Sequence, residues 1–180
     1  SECRQEMNRV LVTGAAGFIG SHLVGALRRA GARVAAMDLD IPPAAASPDG
    51  IDWIRGDIFD RARLVSAARG ADTVVHLVAK THDTSAAESE EEYRRINVEG
   101  TRNLLEACDR NAVRHIVFFS SVKAMAEEAA GILDESFPPH PTTAYGRTKL
   151  EAEEAVRQFG RSHGVRATTL RLPLVYGPGN

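Results

Sequence analysis

RVLVTGAAGFIGSHLVGALRRAG, residues 9–31, decides the fold. Its first six residues are a short, β-branched apolar run ending in Gly14, the pattern of a buried strand. Phe18, Ile19, Leu23 and Leu27 then recur at helical spacing, and Gly31 stops the helix. Between strand and helix stand Gly14, Gly17 and Gly20. Gly14 permits a sharp exit from the strand, Gly17 leaves room for a pyrophosphate against the backbone, and Gly20 lets the helix pack close to the sheet. Free N–H groups at the helix start, with the helix dipole, favour an anion there. A glycine triplet by itself often marks only a turn, but this one follows a strand and opens a helix, as a dinucleotide-binding βαβ unit requires.

The alternation continues outward. RVAAMD (33–38), IDWIRGD (51–57), DTVVHLVA (72–79), VRHIVFFSS (113–121) and RATTLRLPLVYG (166–177) read as strands. Helices are expected over DRARLVSAARG (60–70, with Asp60 as N-cap), over 88–111 and over 142–163, and residues 39–50 read as a loop. The strands are nearly continuous apolar runs, which predicts a parallel sheet covered on both faces: an α/β, doubly wound Rossmann architecture. Asp38, 18 positions after Gly20, closes the second strand. A carboxylate there accepts hydrogen bonds from an adenosine ribose and repels a 2′-phosphate, and neither Leu39 nor Asp40 supplies a cation, so NAD is expected over NADP.

Composition narrows the function classes. The 180 residues suit one domain, 43% apolar and 26% charged, with a formal charge of -2 that offers no basic field to nucleic acid or an anionic membrane. No apolar run of about 18 residues exists to span a bilayer, and SECRQEM lacks the apolar core of a signal peptide. Residues 1–8 are read as an N-terminal extension ahead of a domain over 9–180, in a cytoplasmic, thiol-reducing setting. Cys3 and Cys108 have no metal or redox spacing, and Cys108 falls on an apolar helical pattern. His76, His82 and His115 read as packing or surface residues rather than metal ligands, Trp53 as core, and Glu88, Glu90, Glu91 and Glu92 as a solvated first helical turn.

With these motifs in order, the chain resembles the extended short-chain dehydrogenase/reductase family, in particular its NAD-dependent nucleotide-sugar epimerases and dehydratases of the UDP-glucose 4-epimerase kind. TGAAGFIG is similar to that family's TGxxGxxG loop, which implies pyrophosphate contacts from Phe18 and Ile19. GDI (56–58) resembles the adenine-holding segment, with Asp57 toward the exocyclic amine and Ile58 against the ring. HLVA (76–79) is similar to the HLAA strand end, placing Leu77 and Ala79 at the cofactor ribose, and NVEGT (97–101) to the NxxGT helix start, placing Asn97 on the cofactor side of the cleft. RLPLVYGPGN resembles the RxxxVYGPG segment after the sixth strand.

YGRTK (145–149) supplies the chemistry that the resemblance implies. Tyr145 and Lys149 are one helical turn apart and can share one cofactor. A phenol titrates near 10, and lowering it to about 7 takes roughly 4 kcal/mol of preference for the phenolate. An adjacent ammonium and an oxidised nicotinamide act in that direction. Tyr145 is then the base toward a sugar hydroxyl, Lys149 the partner of the nicotinamide ribose, and Ser121 the hydrogen-bond partner of the reacting oxygen. Ser120 reads as structural, and Lys123 as a solvent-facing loop lysine. SSVKAMAEEAAG lacks the tyrosine-glycine that the family carries after its serines.

The expectation is an NAD-dependent 4-epimerase of a nucleotide-diphosphate sugar. A sugar reductase, a 4,6-dehydratase or a non-catalytic dinucleotide-binding regulator are the alternatives. The dehydratase is disfavoured because Val122 and Lys123 stand where an acid pair is expected. Family members continue with a smaller substrate domain, so the Rossmann domain is expected to be truncated before it. The helices at 88–111 and 142–163 resemble those that pair in family homodimers.

Overall fold

In the computed structural model, residues 9–41, 50–81, 90–128 and 134–179 are described. Six strands form one sheet: β1 Arg9–Thr13, β2 Arg33–Asp38, β3 Ile51–Arg55, β4 Thr73–His76, β5 His115–Ser121 and β6 Arg166–Leu172. All pairings are parallel and the order is β3-β2-β1-β4-β5-β6. The strand order reverses direction between β1 and β4, and in such sheets ligands bind beyond the carboxyl ends at that switch point. The helices are α1 Phe18–Arg29, α2 Arg61–Ala67, α3 Glu90–Arg94, α4 Gly100–Arg110 and α5 Ala144–His163.

Alternate residues of each strand feed cores on opposite faces, as the pleat requires. Val10 and Val12 of β1 join Val34, Ala36, Val75 and Val24 on the α1 face, with half-buried Trp53 packed against them. Leu11 points the other way, toward Leu64, Leu104, Cys108, Phe118 and Val156 under α2, α4 and α5. Cys108 is buried there, and burial pushes its thiol up to about 12, so it is an inert core residue. His76 is a core residue too, as expected. Thr101 Oγ1 donates to Asn97 O at 2.7 Å and so accepts from His76 Nε2 at 3.0 Å, which leaves Nδ1 to accept from Thr13 Oγ1 at 2.7 Å. Burial holds this ring neutral, down to about 3, with the Lys149 charge acting in the same direction. His115 is a half-buried partner of Thr168 across β5 and β6.

The structure departs from the sequence reading at several elements, and β3 stops at Arg55 rather than Asp57. Strand β4 stops at His76, and residues 77–79 turn across the switch point, tied by Leu77 N to Thr13 O at 3.0 Å. Strand β6 ends at Leu172 because its partner β5 ends opposite it, at Ser121. The helix expected over 88–111 is broken by a π-helical turn, Arg95–Glu99, between α3 and α4. Such turns insert one extra residue and re-aim the side chains around it. Here Asn97 is turned inward: its Oδ1 accepts from Lys80 N at 2.7 Å while its Nδ2 donates to Lys80 O and to Thr148 Oγ1. Glu90 and Glu92 do more than solvate a helix start. Glu90 takes both arms of Arg147 of α5, and Glu92 pairs with Lys80. Cys3, His82, Glu88 and most of the 39–50 loop lie outside the described residues.

Candidate active site

The cleft begins at Gly14, whose φ of +77° favours glycine, and where a Cβ would meet Val78 N at 2.9 Å. A Cβ on Gly20 would fall onto the Gly14 carbonyl oxygen and lie 2.8 Å from Ala15 Cα, so this glycine is demanded by the close approach of α1 to the loop. Gly17 differs. Its φ of -65° is ordinary, and a Cβ there would touch only Gly14 O, at 3.4 Å. The space it leaves is therefore open cleft rather than protein. No side chain caps α1, and its first turn carries no acid, so the N–H groups at its start face the cleft without a side-chain acceptor.

Two cavities meet at this loop and share Gly14, Gly17, Leu77 and Ala79 as walls. The first half, about 590 Å³, is lined by Asp38, Asp57, Ile58 and Phe59. Asp38 Oδ2 accepts from Ala16 N and Oδ1 from Leu39 N, both at 2.8 Å, which fixes the carboxylate between the glycine loop and β2. A carboxylate has about four acceptor positions, so capacity remains for a diol. Asp57 Oδ1 accepts from Phe59 N at 3.0 Å. Among the described residues Arg95 is the one cation lining this half, and its guanidinium stacks 4.4 Å over the Phe59 ring. The sequence reading missed it, because the π-helical turn carries it there.

The second half, about 670 Å³, is lined by Phe18, Ile19, Ser121, Lys123, Tyr145 and Lys149 among others, and among the described residues no acid lines it. Phe18, Ile19 and Gly20 thus face this side, whereas Asp38, Asp57 and Ile58 face the other. Asn97, expected beside the cofactor, lines neither half. It is buried and ties the segment after β4 to α5.

Helix α5 places the reacting groups. Thr143 is its N-cap, with Oγ1 accepting from Gly146 N at 3.1 Å, and Glu127 braces the cap by accepting from the backbone and hydroxyls of Thr142 and Thr143. Burial opposes ionisation of Glu127, but these hydrogen bonds together outweigh it and take the carboxyl down to about 2. A Cβ on Gly146 would run into the Lys123 carbonyl and lie 2.9 Å from Pro141 Cβ. The glycine inside YGRTK thus lets α5 press against the turn after β5, which brings Tyr145 into hydrogen-bond contact with Ser121.

Lys149 is only 2% exposed. Its Nζ donates to Phe119 O at 2.6 Å and lies 4.2 Å over the Phe118 ring. Burial pulls the ammonium down to about 7, and the charge of Glu153 opposes that shift. Two N–H donors remain at a wall of the cavity, which suits vicinal hydroxyls. The expected depression of Tyr145 is not a property of the polypeptide alone: burial raises the phenol above its usual value, and the Ser121 hydrogen bond offsets this only in part. Ser120 also lines this second half, and its hydroxyl donates to Glu153.

The sequence model of the NAD dependent epimerase/dehydratase family matches residues 10–180. A dTDP-glucose 4,6-dehydratase of Mycolicibacterium smegmatis is 36% identical over 94% of this chain and 54% of its own length. A UDP-glucose 4-epimerase of Corynebacterium glutamicum is 32% identical over 94% of this chain and 52% of its own. Among solved structures, MoeE5 in complex with UDP-glucuronic acid and NAD superposes with a TM-score of 0.86 at 40% identity, covering 96% of this chain and 56% of that one. The Thermus thermophilus UDP-glucose 4-epimerase complex with NAD gives a TM-score of 0.86 at 35% identity, covering 95% and 57%. The chain spans about half the length of the relatives it matches.

Two predictions separate packing from binding. Gly20→Ala should lower stability by about 2 kcal/mol, as overpacking at a backbone contact does, whereas Gly17→Ala should leave the urea midpoint unchanged and weaken NAD at least tenfold in calorimetric titration. Equal destabilisation of both variants would deny that Gly17 is kept open for a ligand. The second concerns Lys149, which titrates near 7 in the fold against an ordinary value of 10.5. Between those values the unfolded chain holds more protons, so the unliganded protein should gain stability as pH rises through this window. Lys149→Met should flatten that slope in urea titrations, and a slope unchanged by the substitution would contradict a buried ammonium.

Proposed function

From the premise that the chain belongs to the NAD dependent epimerase/dehydratase family, we propose that the whole protein is a 4-epimerase of a nucleotide-diphosphate hexose, with a UDP-sugar favoured. The observation that carries this is the convergence of Tyr145, Ser121 and Lys149 on one cavity that opens from the glycine loop, with no acid lining it among the described residues. The residues fit NAD. Gly17 leaves the cradle for the pyrophosphate beside the start of α1, Asp38 meets the adenosine ribose, and Asp57 and Ile58 meet the adenine. Leu77 and Ala79, which wall both halves, would flank the ribose positions, and Lys149 would donate to the nicotinamide ribose. Bound NAD supplies reversible hydride acceptance from a sugar carbon.

On this reading Ser121 donates a hydrogen bond to the C4 oxygen, holding it beside Tyr145 as charge develops. The Tyr145 phenolate removes the hydroxyl proton as hydride leaves C4, giving a 4-ketone and a neutral phenol. Return of hydride to the opposite face, with the proton handed back from Tyr145, completes the inversion. Because burial raises the phenol of the unliganded chain, the phenolate must be stabilised by cationic charge added with the cofactor beside Lys149.

The similarity to dTDP-glucose 4,6-dehydratases supports a second reading. Loss of water across C5 and C6 needs a base for the C5 proton and an acid for the C6 hydroxyl. Val122 and Lys123 follow Ser121 here, so no carboxyl pair is at hand on that turn. Incubation of the NAD-loaded whole protein with UDP-glucose, UDP-glucuronate and dTDP-glucose separates the two, since only dehydration yields a 4-keto-6-deoxy sugar. Pairing of two copies along α4 and α5 belongs to the same proposal.

Tyr145→Phe should lower kcat about 10²- to 10⁴-fold, the usual share of a positioned acid–base group, while NAD affinity stays within twofold. Undiminished turnover would remove Tyr145 as the base.

A further inference from the structure

The end of β5 is fastened to α5 by three successive ties. Tyr145 hydrogen-bonds Ser121, Lys149 Nζ donates to Phe119 O at 2.6 Å, and Ser120 Oγ donates to Glu153 Oε1 at 2.5 Å. The helix partners are spaced by four residues and form one stripe, while their strand partners are three consecutive residues. The first two ties border the cleft. The third runs from Ser120, which lines the second half, back to Glu153, which lines neither half. Glu153 is 7% exposed, and Arg171 of β6 closes on it with Nε 3.0 Å from Oε1 and Nη2 2.6 Å from Oε2.

We propose that Glu153 is a positioning residue of the catalytic centre: it clamps β5 and β6 to α5 so that Ser121 meets Tyr145, and its charge, one turn from Lys149, keeps that ammonium protonated. This rests on the reading of Tyr145, Lys149 and Ser121 as the reacting group and deepens it. A buried Arg–Glu pair gains little stability over apolar packing of the same volume. The site it occupies gives it another use. Lys149 is nearly inaccessible to water. Among the described residues the titratable groups that bear on it are His76 from β4, held neutral by burial; Tyr145 on its own helix and Lys123 from the turn after β5, both lining the same cavity half; and Glu153, itself held by Arg171 of β6. Of these, Glu153 supplies the negative charge that acts on Lys149, against the burial that drives its proton off.

The test is the pH dependence of NAD affinity in the whole protein, for wild type, Glu153→Gln and Arg171→Gln. Glu153→Gln keeps the shape and an acceptor for Ser120 but loses the charge. Its loss of NAD binding with rising pH should come about half a pH unit or more below that of wild type, which is a threefold change in the protonation ratio. Arg171→Gln leaves the carboxylate unneutralised and should move the midpoint upward. Midpoints that coincide with wild type, or that move in the same direction in both variants alongside a lower urea midpoint, would make the cluster merely structural and overturn the proposal. The comparison reads binding alone. Opposite shifts in a protein that turns over no nucleotide sugar would therefore uphold the role of Glu153 and refute the epimerase reading instead.

Discussion

A protonated lysine at the base of a cleft is an expensive thing to bury, and the second half of the fold is arranged around Lys149. Its ammonium has one carbonyl, Phe119 O, and one aromatic face, Phe118, in place of bulk water. Those two contacts come from β5, so the position of the charge requires that α5 and β5 be locked in register. The locks are visible: Gly146 admits α5 to the turn after β5, Thr143 and Glu127 fix where the helix starts, and Glu153 with Arg171 binds the far side. Burial still drags the ammonium down to about 7, so its proton is held by a narrow margin. A ligand with hydroxyl acceptors at the Lys149 donors relieves that burden directly.

On the proposed reading the first half of the fold answers a different demand, that of holding an anion and a diol. Gly14 and Gly20 are glycines for the sake of the protein's own packing, and Gly17 for the sake of the space beside it. The uncapped start of α1 and the carboxylate of Asp38, fixed by two backbone N–H groups, face that space. The two halves meet across the switch point, where β1 and β4 end side by side and residues 77–79 form their common wall. No helix among the described residues is long and apolar enough to cross a membrane.

Much of this was legible in the sequence, because the demands on the glycine loop, Asp38 and the Tyr145–Lys149 pair are local and leave local spacing. Features set by distant contacts were not. Residues 93–99 carry no glycine or proline, and the π-helical turn goes with ties of Asn97 to Lys80 and to Thr148, 51 positions away. Gly146 stood in plain view, but the Lys123 carbonyl that requires it comes from another segment. Glu153 is one of three glutamates in EAEEAV, and only burial against Ser120 and Arg171 separates it from Glu151 and Glu154. The phenol of Tyr145 was expected to fall through the adjacent Lys149 together with an oxidised nicotinamide, and the polypeptide alone does not lower it. The Lys149 ammonium bonds the Phe119 carbonyl, and burial raises the phenol.

The proposed reading of the cofactor half, the buried ammonium and the Ser121–Tyr145 contact is reversible oxidation at one sugar carbon beside Tyr145. The most direct test follows the hydrogen on that carbon. With the NAD-loaded whole protein and a UDP-hexose deuterated at C4, such an oxidation predicts slowed turnover and an inverted hexose that keeps its deuterium at C4. Loss of the deuterium to solvent, or its arrival at C6 in a 4-keto-6-deoxy product, would contradict it.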